Sequence, residues 1–166
     1  MSEAFVGQGE YLSIELVGAE HIDETVSDYG ETLHYDGLLL SLVIENISNS
    51  ICYWDRDEFE IVDANGFAYS IKDSEEYYHL EQLIPGGWYV DLDKLQPNRK
   101  YRYVVYIKDF HGELGLISYE AKHTSLLHSS DPDALQKSEQ VEIDISSAPS
   151  HDVSGVPELR DIFIQE

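Results

Sequence analysis

Apolar and polar residues alternate one for one along much of the chain, the period of a strand with one face in a core and the other in water. Tyr11 to Val17 is the first such run, with Leu12, Ile14 and Leu16 on one side and Tyr11, Ser13 and Glu15 on the other. In a second run Leu38, Leu40, Leu42 and Ile44 line one face, and Leu39, Ser41, Val43 and Glu45 the other. Apolar residues on both sides predict a central strand covered on part of both faces, the spine of the core. Between the two runs, Gly18 to Gly37 is polar and acidic with scattered Ile22, Val26, Tyr29 and Tyr35. It reads as a long connection or an irregular edge hairpin. Asn46-Ile47-Ser48-Asn49-Ser50 closes the spine with side chains that compete for backbone hydrogen bonds, as turns require.

The alternation resumes at Glu58-Phe59-Glu60-Ile61-Val62-Asp63, breaks at Ala64-Asn65-Gly66, and continues through Phe67, Tyr69 and Ile71. Asn-Gly tolerates the positive φ of a tight turn, so this segment predicts a hairpin. Lys72 to Leu83 is Glu-rich with Tyr77, Leu80 and Leu83 near helical spacing, which suggests a short helical turn or a loop ended by Pro85-Gly86-Gly87. Trp88, Val90 and Leu92 then alternate with Tyr89, Asp91 and Asp93. Gln96-Pro97-Asn98-Arg99 turns the chain into a strand with Tyr101, Tyr103, Val105 and Ile107 on one face, and Leu114 to Glu120 follows. About seven strands at this spacing, without βαβ alternation, predict an all-β fold: an immunoglobulin-like antiparallel β-sandwich with a short helical turn and a C-terminal extension. The sandwich is expected over 10–121. An extension over 122–146 offers a helix start, Asp131 capping and Pro132 in the first turn, and an edge strand at Gln140 to Ile145. A linker and an apolar C-terminal segment make up 147–166, and the apolar end docks on its own domain or reaches a partner chain.

Charge changes the picture more than composition does. The sequence holds 33 Asp and Glu against 10 Lys and Arg, a net charge of −23, where a small domain carries a magnitude of about 2 to 8. A salt-rich cytoplasm, a basic partner and carboxylate clusters holding cations each offset such repulsion. The acids are spread over most of the chain, which favours salt adaptation of a halophilic, archaeal kind. On that reading the melting temperature rises as KCl goes from tens of millimolar to molar, because the screening length falls from about 30 Å to about 3 Å. A melting temperature indifferent to KCl removes it. Nucleic acid is not expected as a partner, since no basic face can be assembled. The longest apolar run, Leu38 to Ile44, is interrupted by Ser41 and falls short of the ~20 residues of a membrane span. The acidic start without an apolar stretch predicts a cytoplasmic location, or an extracellular one if a leader has been removed. Cys52 is the single cysteine, so no disulfide forms within the chain.

Val43-Ile44-Glu45-Asn46, Phe59-Glu60-Ile61-Val62-Asp63, Asn65-Gly66-Phe67-Ala68-Tyr69, Leu83-Ile84-Pro85-Gly86 and the Tyr-rich return strand together resemble the telokin-like, immunoglobulin-like family of largely uncharacterised bacterial and archaeal proteins. The resemblance covers roughly Glu10 to Glu120. It implies a β-sandwich displayed outside the membrane, although neither a leader nor a lipobox cysteine stands near this start, and it carries across no catalytic residue.

Candidate chemistry is sparse. Cys52 in Ile51-Cys52-Tyr53-Trp54 could act as a nucleophile with His34, His79 or His111, or be a small core residue with an inert thiol. Neither a Gly-x-Ser-x-Gly elbow nor a glycine-rich phosphate loop occurs, and the seven histidines form no HExxH or HxH. Asp55/Asp57 and Asp91/Asp93 are the metal candidates, because residues two apart in an extended chain project the same way and could share one Ca²⁺. Asp63-Ala64-Asn65-Gly66 does not satisfy the EF-hand spacing, with its glycine too early and Ser74 where a bidentate Glu belongs. Twelve tyrosines serve core and cross-strand packing or an exposed aromatic patch, with Trp54, Tyr89 and Tyr106 as outward candidates. Leu159, Ile162 and Phe163 are the partner-binding candidates of the C-terminal segment. The leading expectation is a non-enzymatic protein-interaction or accessory module that needs no cofactor and has a protein partner or self-associates. The alternative is a calcium- or small-ligand-binding sandwich.

Overall fold

The computed structural model describes residues 5–28, 31–71, 88–89, 92–121, 139–148 and 151–152. These form twelve strands and one 3-10 turn, with ten of the strands in two facing sheets, an all-β sandwich. The larger sheet runs β1 (Phe5–Gln8), β2 (Leu12–Asp28), β3 (Glu31–Asn46), β9 (Arg99–Lys108), β7 (Trp88–Tyr89), with β12 (His151–Asp152) added in parallel to β2. The smaller sheet runs β11 (Glu139–Asp144), β10 (Leu114–Ala121), β5 (Phe59–Asp63), β6 (Ala68–Ser70). The remaining two strands, β4 (Cys52–Tyr53) and β8 (Lys94–Leu95), pair with each other as a separate ribbon that was not anticipated.

Leu38, Leu40, Leu42 and Ile44 have no solvent exposure and form the spine, facing Phe59, Ile61, Ile117 and Tyr119 of the smaller sheet. Each such side chain contributes roughly 1.5–3 kcal/mol on burial. Of the two readings of Gly18 to Gly37, the irregular hairpin is the one the structure takes, and its outer part runs past the ends of β1 and β9. β2 and β3 stay paired from Leu12↔Asn46 to Asp28↔Glu31 as one long ribbon. The register shifts between Leu16 and Gly18, so even-numbered residues face the core before the bulge and Ala19 faces it after. One inserted residue reverses every later side chain, which is why the alternation fades from the sequence there.

The Asn65-Gly66 hairpin forms as predicted, with Gly66 at φ 91°. Asp63 anchors it: its Oδ1 accepts from the Asn65 and Phe67 backbone N–H groups at 2.9 Å each. The predicted helical turn at 72–83 and the helix start at 131–132 lie outside the described residues. The 3-10 turn found is at Arg56–Glu58. β11 is the expected edge strand, and its Val141 and Ile143, with Ile145, join the main core. The Glu139 carboxylate accepts from the backbone N–H groups of Glu10, Tyr11 and Leu12 at 2.7–3.1 Å and so pins the β1–β2 turn. The sandwich therefore extends beyond 10–121 on both sides, taking in β1 and β11. Residues 147–166, expected to hold only a linker and an apolar tail, also contribute β12.

Candidate functional site

Most of the side chains expected to act on the surface are used by the fold instead. Trp54 is 4% exposed, stacked on Tyr119 at 4.0 Å with an interplanar angle of 4°, and edge-on to Tyr103 at 5.4 Å. It is a core residue, not an outward one. The short β4 ends just before it, and its backbone N–H donates to the Asp93 carbonyl at 2.8 Å, which turns the ring inward. Tyr106 lies on the face of the larger sheet away from the main core, yet it is 2% exposed. Its hydroxyl accepts from the Asp36 N–H at 2.9 Å, and its ring meets Tyr35 edge-on at 5.1 Å. Tyr89 is exposed, as expected. Leu159, Ile162 and Phe163 lie outside the described residues.

Of the metal candidates, the pair Asp55/Asp57 does not meet its premise. Asp55 caps the 3-10 turn, and its Oδ1 accepts from the Asp57 N–H at 3.0 Å, so the pair does not project from one extended strand. Asp93 is exposed and Asp91 lies outside the described residues. A different set converges. Asp36, Asp109 and His111 bring one donor atom each to within 4.8 Å of one another, and His111 Nε2 is 3.3 Å from Asp36 Oδ1. Chain order separates Asp36 from the others by more than seventy positions, but β3–β9 pairing places Gly37 opposite Lys108 and so delivers Asp36 beside Asp109. Among the described residues this is the donor set that could hold a divalent cation.

Cys52 is fully buried beside the Ser48 hydroxyl at 3.9 Å. Burial pushes its thiol pKa up, the Ser48 hydrogen bond lowers it, and Glu139 raises it. The group is thus held as the thiol, the unreactive form.

One concave surface gathers exposed charge and rings. Glu15 of β2, Val43 of β3 and Arg102 of β9 stand side by side across three strands. Around them Tyr89 of β7, Gln96, and Arg99, Lys100 and Tyr101 of β9 complete a groove of about 540 Å³. Its parts are fixed by hydrogen bonds: the Asn98 N–H donates to the Asn46 carbonyl at 2.8 Å, and the Gln96 N–H to the Tyr101 hydroxyl at 2.9 Å. Tyr89 and Tyr101 meet with centroids 6.2 Å apart at 64°. The Arg102 guanidinium sits 6.0 Å from the Trp88 ring centroid, within cation–π range. Three of the chain's 10 cations line this groove, and none of the three forms an ion pair with a described carboxylate. These cations gather locally, beside Glu15, on a chain that is acidic overall. Three cations in four positions, Arg99 to Arg102, were the signal in the sequence, hidden by the overall acidity.

No protein-family model and no curated protein matches the chain. Among solved structures, a functionally unknown protein from Listeria monocytogenes superposes with a TM-score of 0.53 at 12% identity, covering 86% of this chain and 82% of that one. The yjhA protein of Bacillus subtilis gives 0.48 at 15% identity over 84% and 95%. The candidate lipoprotein ycdA of Bacillus subtilis gives 0.49 at 11% identity over 86% of this chain, which spans 39% of that protein's length. The likeness to the Listeria protein is one of fold. Among the described residues no helix is long and apolar enough to cross a membrane.

Proposed function

We propose that the protein is a non-enzymatic interaction or accessory module with an acidic, salt-adapted surface, and that it meets its partner through the groove at the start of β9. The observation that carries this reading is the gathering of Arg99, Lys100 and Arg102 with Tyr89 and Tyr101 in one concavity of a chain with net charge −23. Strands on a packed sheet hold these groups in place before binding, which lowers the ordering cost of association. Tyr and Arg are the side chains that most often dominate such contacts. The buried, protonated Cys52 supports the non-enzymatic part of the reading, and the resemblance set out above carries across no catalytic residue.

The test is a paired affinity capture from the native host extract with wild type and an Arg99→Glu/Arg102→Glu variant. Both positions are exposed, so circular dichroism and light-scattering mass are expected to stay unchanged. A partner retained by wild type is expected to drop at least tenfold with the variant. Equal recovery by the two proteins would sink the groove as the contact surface.

A further inference from the structure

A groove whose cations meet no described carboxylate in an ion pair, on so acidic a chain, restricts what can occupy it. The net charge of −23 repels an extended polyanion along its whole length, and three cations cannot offset that repulsion beyond their own neighbourhood. An isolated carboxylate or two, carried on an otherwise apolar body, meets the cations and little else. The rest of the lining agrees: Val43, Tyr89 and Tyr101 supply apolar and aromatic area between the charges. Arginine's planar fork matches a carboxylate with two parallel hydrogen bonds, and β9 brings two such forks to the groove from its two faces, Arg99 on the side of Tyr101 and Arg102 on the side of Val43. At about 540 Å³ the groove falls in the range of sites that enclose small ligands or a few side chains.

We propose that this groove docks a short peptide segment of the partner, in which one or two Asp or Glu residues flank an aromatic or large apolar side chain. The segment crosses the edge of β9: one carboxylate pairs with Arg102 on the outer face beside Val43, and another with Arg99 on the opposite side, where the apolar side chain packs against Tyr89 and Tyr101. Glu15 stands in the same row as Val43 and Arg102. It repels a carboxylate on that side and so fixes which way the segment lies. This inference rests on the interaction-module reading and specifies the chemistry of its ligand.

Fluorescence anisotropy with a labelled Gly-Asp-Phe-Glu-Gly peptide tests it, with Gly-Asn-Phe-Gln-Gly and inorganic phosphate as comparisons. Measurements are made at 0.1 M KCl after circular dichroism confirms the native spectrum. The amide peptide is expected to bind at least tenfold more weakly, Arg99→Gln/Arg102→Gln to cost the acidic peptide at least tenfold, and Tyr89→Ala several-fold. Equal binding of the two peptides, or an unaffected arginine double variant, overturns the proposal. Displacement by phosphate at the peptide's own concentration also overturns it, in favour of a phosphate-bearing ligand. A partner lost from the capture with Arg99→Glu/Arg102→Glu, while the acidic peptide fails to bind, would refute this ligand chemistry and leave the module reading standing. Capture insensitive to those substitutions would refute the reading beneath it.

Discussion

Trp54→Ala is expected to lower unfolding stability by about 3–5 kcal/mol, the range for emptying a large aromatic site in a core. Trp54 lies flat on Tyr119, edge-on to Tyr103, and tilted against Phe59 with centroids 6.2 Å apart, so removing the indole leaves three rings facing a void. The neighbouring backbone resists collapse into that space. The Trp54 N–H is bonded to the Asp93 carbonyl, and the Asp55 N–H donates to the Tyr119 hydroxyl at 2.9 Å. Trp54→Phe should cost well under half as much, because the indole Nε1 is buried without a hydrogen-bond partner and its loss leaves no acceptor stranded. Urea unfolding with an unchanged slope measures both. A loss below about 1 kcal/mol for Trp54→Ala would place the ring in water, where the exposed-patch alternative had it.

The second large effect belongs to Glu20. Its side chain is buried on the face of the larger sheet away from the main core, in the row of Leu39 and Tyr106. Its Oε2 has no hydrogen-bond partner, and neither has the Oγ of nearby Ser41. The missing side chain of Gly18 leaves room for the carboxylate, since a Cβ there would stand 2.9 Å from Glu20 Oε1. Burial raises the Glu20 pKa from 4.5 to about 7. The folded state therefore holds a proton between those values that the unfolded chain has released, and stability falls as pH rises through the window. The contribution of this group is greatest below pH 4.5, and up to about 3 kcal/mol of it is gone above pH 7. Glu20→Gln should be more stable than wild type at pH 8 by up to that amount, with the difference shrinking steadily toward pH 5. Comparing the two proteins cancels the titration of the other acids. Parallel pH profiles for the two would show that Glu20 is solvated in the folded state.

Local rules reached far into this chain because strand period and turn chemistry act between residues close in sequence. Leu38, Leu40, Leu42 and Ile44 announce a buried face by alternation alone, and Asp63 to Phe67 announces a hairpin through Asn-Gly. β10 and β11 were legible for the same reason, down to the edge position of β11. The rule stopped at Val17, where a single bulge residue reversed the facing of the rest of β2 and made a continuous strand look like a polar connection. Trp54 was misread because an aromatic side chain beside polar residues carries no local mark of the ring that will stack on it, and Tyr119 lies 65 positions away.

The sequence by itself determined the all-β class, the central strand, the Asn-Gly turn and the acidity, all of which follow from composition or from neighbours along the chain. Only the tertiary structure decided which charges and rings share a surface. The groove takes Glu15, Val43, Tyr89 and Arg102 from four strands, and Asp36 reaches Asp109 and His111 through cross-strand pairing. Such meetings depend on sheet order and register, which are set by burying the whole core at once and leave no periodic trace at the positions they bring together.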